Sequence, residues 1–237
     1  MLRLLATAPI AGVGRVVYSS NACFLVEFEA TDPVDPAHPL RGIYKPARGE
    51  RPLWDFPHRT LHYREVASYL VDAALGLGIV PPTVLRDGPF GAGSMQLFVD
   101  AVGRELSTAE EDCLQPELRA MAALDVLINN ADRKSAHLLI SPGPRLRGID
   151  NALTFLPYPR QRTVLIELGG ARLPDQVARA VQSLQGDDAE RERLLQHLRL
   201  LLSAEEVSAF AGRLAELAAD PLFPQLDPWD GRPFEWW

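Results

Sequence analysis

Along the chain, apolar residues first alternate with polar ones and later recur at helical spacing, with the change falling near residue 100. From Gly14 to Glu29, Phe24, Val26 and Phe28 lie on one face and Cys23, Leu25 and Glu27 on the other, which predicts a strand pair turning at Ser19-Ser20-Asn21. Leu40 to Pro46 predicts a further strand, stopped where Pro46 removes a ladder donor. Tyr63, Val66, Ala67, Leu70 and Ala74 then mark one face of a helix over about Arg59 to Leu75, ended by Gly76 and Gly78. Val80–Leu85 and Ser94–Val99 predict two more strands about the turn Asp87-Gly88-Pro89. Residues 1–100 thus read as a small antiparallel sheet with one helix.

Residues 101–237 read as a mainly helical second lobe, reached through the polar stretch Asp100 to Cys113. Pro116 suits the first turn of a helix carrying Leu118, Met121, Ala122, Asp125 and Ile128 on one side. Further helices are predicted near Pro174–Leu184, Ala189–Leu202 and Ala204–Ala219, the last with a capping box from Ser203 and Glu206. The tail, with Trp229, Phe234, Trp236 and Trp237, carries enough aromatic surface to predict docking on the body. The fold class expected is α+β, in two lobes sharing a cleft.

Composition narrows the function. A chain of 237 residues, 47% hydrophobic, can bury a sizeable core. Its formal net charge of −7 argues against a general nucleic-acid binder, which needs a basic surface to neutralise phosphates. Cys23 and Cys113 form neither a disulfide framework nor a zinc spacing, so a reducing cytoplasm is expected. The apolar start, Met1 to Ile10, is too short for a signal peptide, and no run reaches the length of a membrane span, so no integral membrane association is expected.

The chemistry concentrates in Asn130-Ala131-Asp132-Arg133-Lys134 to Ile140, followed by Arg147-Gly148-Ile149-Asp150-Asn151. Two acids flank a hairpin-like pair of apolar runs, and His137 stands five residues after the first. In phosphoryl transfer one Asp positions the acceptor hydroxyl, a residue five later binds metal, and a second Asp beyond the next strand holds the cation bridging the phosphates. Asp132, His137 and Asp150 occupy those stations. Upstream, Ser19, Ser20 and Asn21 would cover phosphates with hydroxyls and N–H groups, and Glu65 would turn inward to Lys45 at its strand end. Any one of these residues alone is ordinarily a solvated surface group; their order along the chain carries the reading.

Tyr44-Lys45-Pro46, Asn130 to Lys134 and Gly148-Ile149-Asp150 resemble the marks of the phosphatidylinositol 3- and 4-kinase-like fold, which HipA-type kinases share. The chain is similar from about Gly14 through Phe155 to an uncharacterised actinobacterial family of phosphatidylinositol-kinase-like proteins. The resemblance implies a protein-kinase-like fold binding ATP with Mg²⁺ or Mn²⁺ between its lobes. It implies that Lys45 meets the α- and β-phosphates and pairs with Glu65, that Asp150 and His137 hold metal, and that Asp132 serves the acceptor. Arg133 or Lys134 would offset charge on the transferred group, and Gln96, Phe98 and Val99 would meet adenine through the backbone. His137 replaces the usual Asn, which favours Mn²⁺ or a single metal, and Asn151 replaces an aromatic residue. The expected activity is an ATP-dependent phosphotransferase acting on a protein or soluble small molecule. The alternatives are an AMP (nucleotidyl) transferase and a silent nucleotide-binding module.

Overall fold

The period-two segments pair as an antiparallel sheet of five strands, β1 (Ile10–Arg15), β2 (Phe24–Thr31), β3 (Pro39–Pro46), β4 (Thr83–Gly88) and β5 (Gly91–Leu97), in the order β1-β2-β3-β5-β4. The computed structural model describes residues 1–17, 21–33, 37–103 and 107–234. Ser19 and Ser20 of the expected phosphate loop, and Trp236 and Trp237 of the tail, lie outside the described residues. Val26, Phe28, Leu40, Tyr44 and Met95 form a small core with Leu5 of a helix the sequence did not announce, α1 (Leu2–Thr7). Six residues make a marginal helix by themselves. Here Arg86 of β4 secures its end by donating to the carbonyls of Leu5 (2.9 Å) and Ala8 (2.6 Å).

Helix α2 (Leu61–Leu75) follows the third strand and ends, as its sequence predicts, on Gly76 with φ of 64°. Helix α3 (Thr108–Leu127) begins two turns before the expected start, because Ser107 and Glu110 form a capping box there. Pro116 therefore lies inside the helix, where it is exposed and the carbonyl it leaves without a helical partner can face water. A hairpin of β6 (Leu138–Ser141) and β7 (Arg145–Gly148) follows, then α4 (Asp175–Gly186), α5 (Asp188–Arg199) and α6 (Ala204–Ala219). Ser203 and Glu206 cap α6 as the sequence predicts.

The main core joins the two lobes. Val71 of α2 shares one apolar cluster with Met121 of α3, Val181 of α4, Leu198 of α5 and Phe210 of α6. Arg64 of α2 pairs with Glu206, and both are buried. The position of α2, and hence of its Glu65, is thus set by the helical lobe as well as by the sheet.

The expected docking of the tail aromatics is corrected in part. Chain segment 221–231 does pack back, through bonds such as Phe223 N–H to Ala171 O (2.9 Å) and Thr163 N–H to Gly231 O (2.9 Å), and Phe223 is buried. Trp229 is 91% exposed and Phe234 73% exposed, so backbone pairing and the buried Phe223, rather than those two aromatics, hold the segment.

Candidate active site

Lys45 reaches the cleft from the end of β3, next to the proline that stops the strand. Its ammonium pairs with Glu65 of α2 and with Asp150 Oδ1 (2.9 Å). Burial by itself would push the Lys45 ammonium down, but the two carboxylates outweigh it and hold the pKa above the usual lysine range. Lys45 in turn holds the Asp150 carboxyl well below the usual carboxylate range. Glu65 is 1% exposed, and its second oxygen accepts the backbone N–H of Asn151 at 3.1 Å. One carboxylate therefore ties the strand lysine to the segment carrying Asp150. Asp150 sits at φ 57°, a left-handed conformation that costs a non-glycine residue energy and recurs at functional sites.

The loop before β6 brings Asp132 and Lys134 together, with Lys134 Nζ donating to Asp132 Oδ2 at 2.8 Å; both are about three-quarters buried. Asn130 Oδ1 accepts the N–H of Asp132 (2.9 Å), fixing the backbone there. Arg133 corrects the sequence reading. Its side chain is fully buried, with Nε donating to Asp125 Oδ2 (2.9 Å), Nη2 to Asp125 Oδ1 (3.0 Å) and Asn151 Oδ1, and Nη1 to Ile149 O (2.8 Å). With its donors so engaged, Arg133 fastens the loop to α3 and to the Asp150 segment and leaves Lys134, which is outside the cavity lining but bonded to Asp132 of that lining, as the loop cation not used in packing.

Asp125 and Asn151 carry no candidate catalytic or binding role in the sequence pattern, yet they anchor this network. The available signal was an acid on the apolar stripe of α3: a carboxylate there is buried, and a buried carboxylate requires a partner. Asn151, in the place of an aromatic, joins Arg133 to Gly148 O (3.2 Å).

Of the expected adenine contacts, Gln96 does not fit: its backbone lies inside the sheet between Ile43 and Thr83, and its side chain donates to Thr83 Oγ1 (2.9 Å). Phe98 donates its N–H to Arg41 O (3.1 Å), and its ring lies under the Arg41 guanidinium. Val99 makes no hydrogen bond among the described residues, which leaves its backbone available in the segment joining the lobes. A cavity of about 280 Å³ brings Asn21, Lys45, Glu65, Asp132 and Asp150 to one space. Its lining does not extend to Gln96, Phe98, Val99 or His137. The rim is closed by Asn21, whose Oδ1 accepts Arg51 N–H (2.9 Å), and by Ala22, whose N–H meets Gly49 O (3.1 Å). A side chain on Gly49 would collide with Ala22, so glycine is needed for this closure.

The residues fit a divalent cation shared with phosphates better than a site made by protein alone. Among the described residues no three His, Cys, Asp or Glu side chains gather for a metal. His137 Nδ1 accepts the N–H of Lys134 (3.4 Å), which puts the proton of the neutral ring on Nε2, facing Asp150 Oδ2 at 3.4 Å. Burial lowers the His137 pKa and favours that neutral form. In this arrangement the one nitrogen lone pair of His137 is turned to the Lys134 N–H, away from Asp150, and the ring acts as a donor to Asp150 rather than as a ligand beside it. The carboxylate oxygens of Asp150, half exposed, are the hard donors such a cation requires.

The strand lysine paired to a helical glutamate, the Asp-x-Lys loop and the acid beyond a hairpin lie on an α+β, two-lobed architecture, and that architecture is the atypical kinase-like fold. The hydra Fam20 structure with sugar superposes with a TM-score of 0.62 at 14% identity, covering 92% of this chain and 86% of that one. The Golgi casein kinase with Mn/ADP bound gives 0.58 at 16%, covering 92% and 74%. The Helicobacter pylori proinflammatory kinase CtkA gives 0.55 at 10%, covering 92% and 94%. No protein-family model matches the sequence. The chain belongs to the same family as protein Rv2133c of Mycobacterium tuberculosis, to which it is 34% identical over 98% of its length and 93% of the relative's. No helix among the described residues is long and apolar enough to cross a membrane.

Proposed function

We propose that this protein is an ATP-dependent phosphotransferase of the atypical kinase class, acting on a polypeptide or a soluble small molecule. The observation that carries the reading is the convergence of Lys45, Glu65, Asp132 and Asp150 on one cavity, with Lys45 bonded to both Glu65 and Asp150. The kinase-like fold supports it, and so does the bound Mn/ADP of one structure sharing that fold.

In this reading Lys45 meets phosphate oxygens of ATP, held in place by Glu65. Asp150 holds the divalent cation, which when bound neutralises charge on the phosphates. Asp132 orients the acceptor hydroxyl and takes its proton as the acceptor oxygen bonds to the γ-phosphorus and the bond to ADP breaks. Lys134, two residues on, offsets charge on the transferred group while its contact with Asp132 exchanges. Val99 offers adenine a backbone contact.

The test compares ATP binding and transfer in two variants, with Mg²⁺ and with Mn²⁺. Asp150→Ala is expected to lose cation-dependent ATP binding, whereas Asp132→Ala keeps binding and loses transfer. Wild-type protein whose melting temperature does not rise with millimolar ATP and either cation would remove the nucleotide reading, since a ligand of the folded state must stabilise it. Equal loss of ATP binding in the two variants would break the division of roles.

A further inference from the structure

Two adjoining hollows of about 760 and 540 Å³ lie outside the cleft and share Pro157 and Ala209. Together they follow one side of α6 from Ala204 to Asp220. At about 1.5 Å per residue that path is roughly 24 Å long, the reach of about seven residues of extended chain at about 3.3 Å each. A polymer fits that length better than a small ligand does. The opposite wall is chain 157–161, whose Pro157 and Pro159 offer no N–H for strand pairing.

The groove is acidic. Glu205, Glu216, Asp220 and Asp227 line it, are exposed, and make no ion pair within hydrogen-bond reach among the described residues. Asp230 also lines it, near Arg162 at 3.6 Å. Two bases oppose them. Arg160 lies over the Trp54 ring, and Arg213 is turned inward, its Nε donating to Leu127 O (2.8 Å). Its inward turn leaves the acidic side chains as the charges that face the groove.

The groove is joined to the candidate catalytic loop. Asn129, in its lining, accepts the N–H of Arg160 (3.0 Å) and donates to Tyr158 O (2.7 Å), while Arg162 N–H reaches Asn130 O (2.8 Å). The wall of the groove and the loop carrying Asp132 are therefore one bonded unit.

We infer that the α6 groove docks a basic, extended polypeptide segment of the acceptor. The inference rests on the proposed phosphotransferase for the word acceptor, but the docking itself needs no nucleotide.

The test is fluorescence anisotropy on the full chain without ATP, using a fluorescein-labelled peptide of Arg-Ala-Ser repeats and its Glu-Ala-Ser counterpart. The arginine peptide is expected to bind and the glutamate peptide to fail. Glu216→Lys with Asp220→Lys should weaken binding about tenfold or more, because like charge then replaces opposite charge at two positions. Glu111→Lys with Asp112→Lys, exposed on α3 and outside the groove, should leave it unchanged. Both variants should keep the thermal shift produced by ATP and Mn²⁺, so a failed nucleotide reading shows there and a failed groove shows in the anisotropy. Absence of arginine-peptide binding, binding insensitive to Glu216→Lys/Asp220→Lys, or equal loss in the α3 variant would overturn the proposal.

Discussion

Arg133→Ala separates what the residue order suggested from what the packing requires. Arg133 and Asp125 are each 0% exposed, and the guanidinium spends its donors on Asp125, Asn151 and Ile149 O. Among the described residues, removing it leaves a buried carboxylate with Asn130 Nδ2 (2.9 Å) as its one remaining side-chain donor. Breaking a buried pair in this way costs about 3–5 kcal/mol. At about 2–4 °C per kcal/mol for a chain of this size, the melting temperature should fall by about 6–20 °C. The assay is thermal unfolding by circular dichroism, in parallel with ATP binding by the folded fraction. Asp125→Leu combined with Arg133→Met should lose less than the two single changes added together, since no lone charge remains buried. An Arg133→Ala protein that melts within about 2 °C of wild type yet loses transfer would refute the packing argument, because shifts that small correspond to under about 1 kcal/mol. It would restore the arginine as a contact of the transferred phosphoryl group.

Asp72, buried in α2 and accepting the N–H of Ile79 (3.0 Å), has its pKa pushed up to about 6 from 3.8, chiefly by burial. Because the folded value is the higher one, its stabilising contribution is present below about 3.8 and lost as pH rises through about 6, a swing of about 3 kcal/mol. Asp72→Asn, which keeps an acceptor without the charge, should therefore raise the melting temperature more at pH 8 than at pH 5; an equal effect at both would refute the assignment. Gly49→Ala forces Ala22 and its loop away from the cleft rim at an overpacking cost of about 1–3 kcal/mol. Isothermal titration should show weaker ATP binding, and unchanged affinity together with unchanged melting would mean the loop yields freely.

The sequence by itself determined most of the succession of elements and pointed to several of the residues that meet at the cleft. Period-two patterning placed β2 and β3, Gly76 ended α2, and the Ser203–Glu206 box began α6, because each depends on residues close along the chain. The Lys45–Glu65 pair was legible for a related reason: a strand-end lysine and a glutamate beside an apolar stripe both point toward the same cleft. Start signals compete, however, and for α3 the capping box at Ser107 prevailed over the proline at 116.

Tertiary structure decided which charges are used for packing and which face the cleft. Arg133 and Lys134 are neighbours in the chain, yet one is fully buried against Asp125, a residue of α3, and the other meets Asp132 at the cavity. Adjacent side chains in a loop point in directions fixed by its bonds to distant segments, here Asn130 to Arg162 and Arg133 to Arg162 and Ile149. The same holds for His137, whose tautomer follows from the backbone N–H of Lys134, and for Glu65, whose second oxygen finds Asn151 only when the lobes meet. The α6 groove has no local signature at all: its walls come from residues about fifty positions apart, and only their packing creates the space between them.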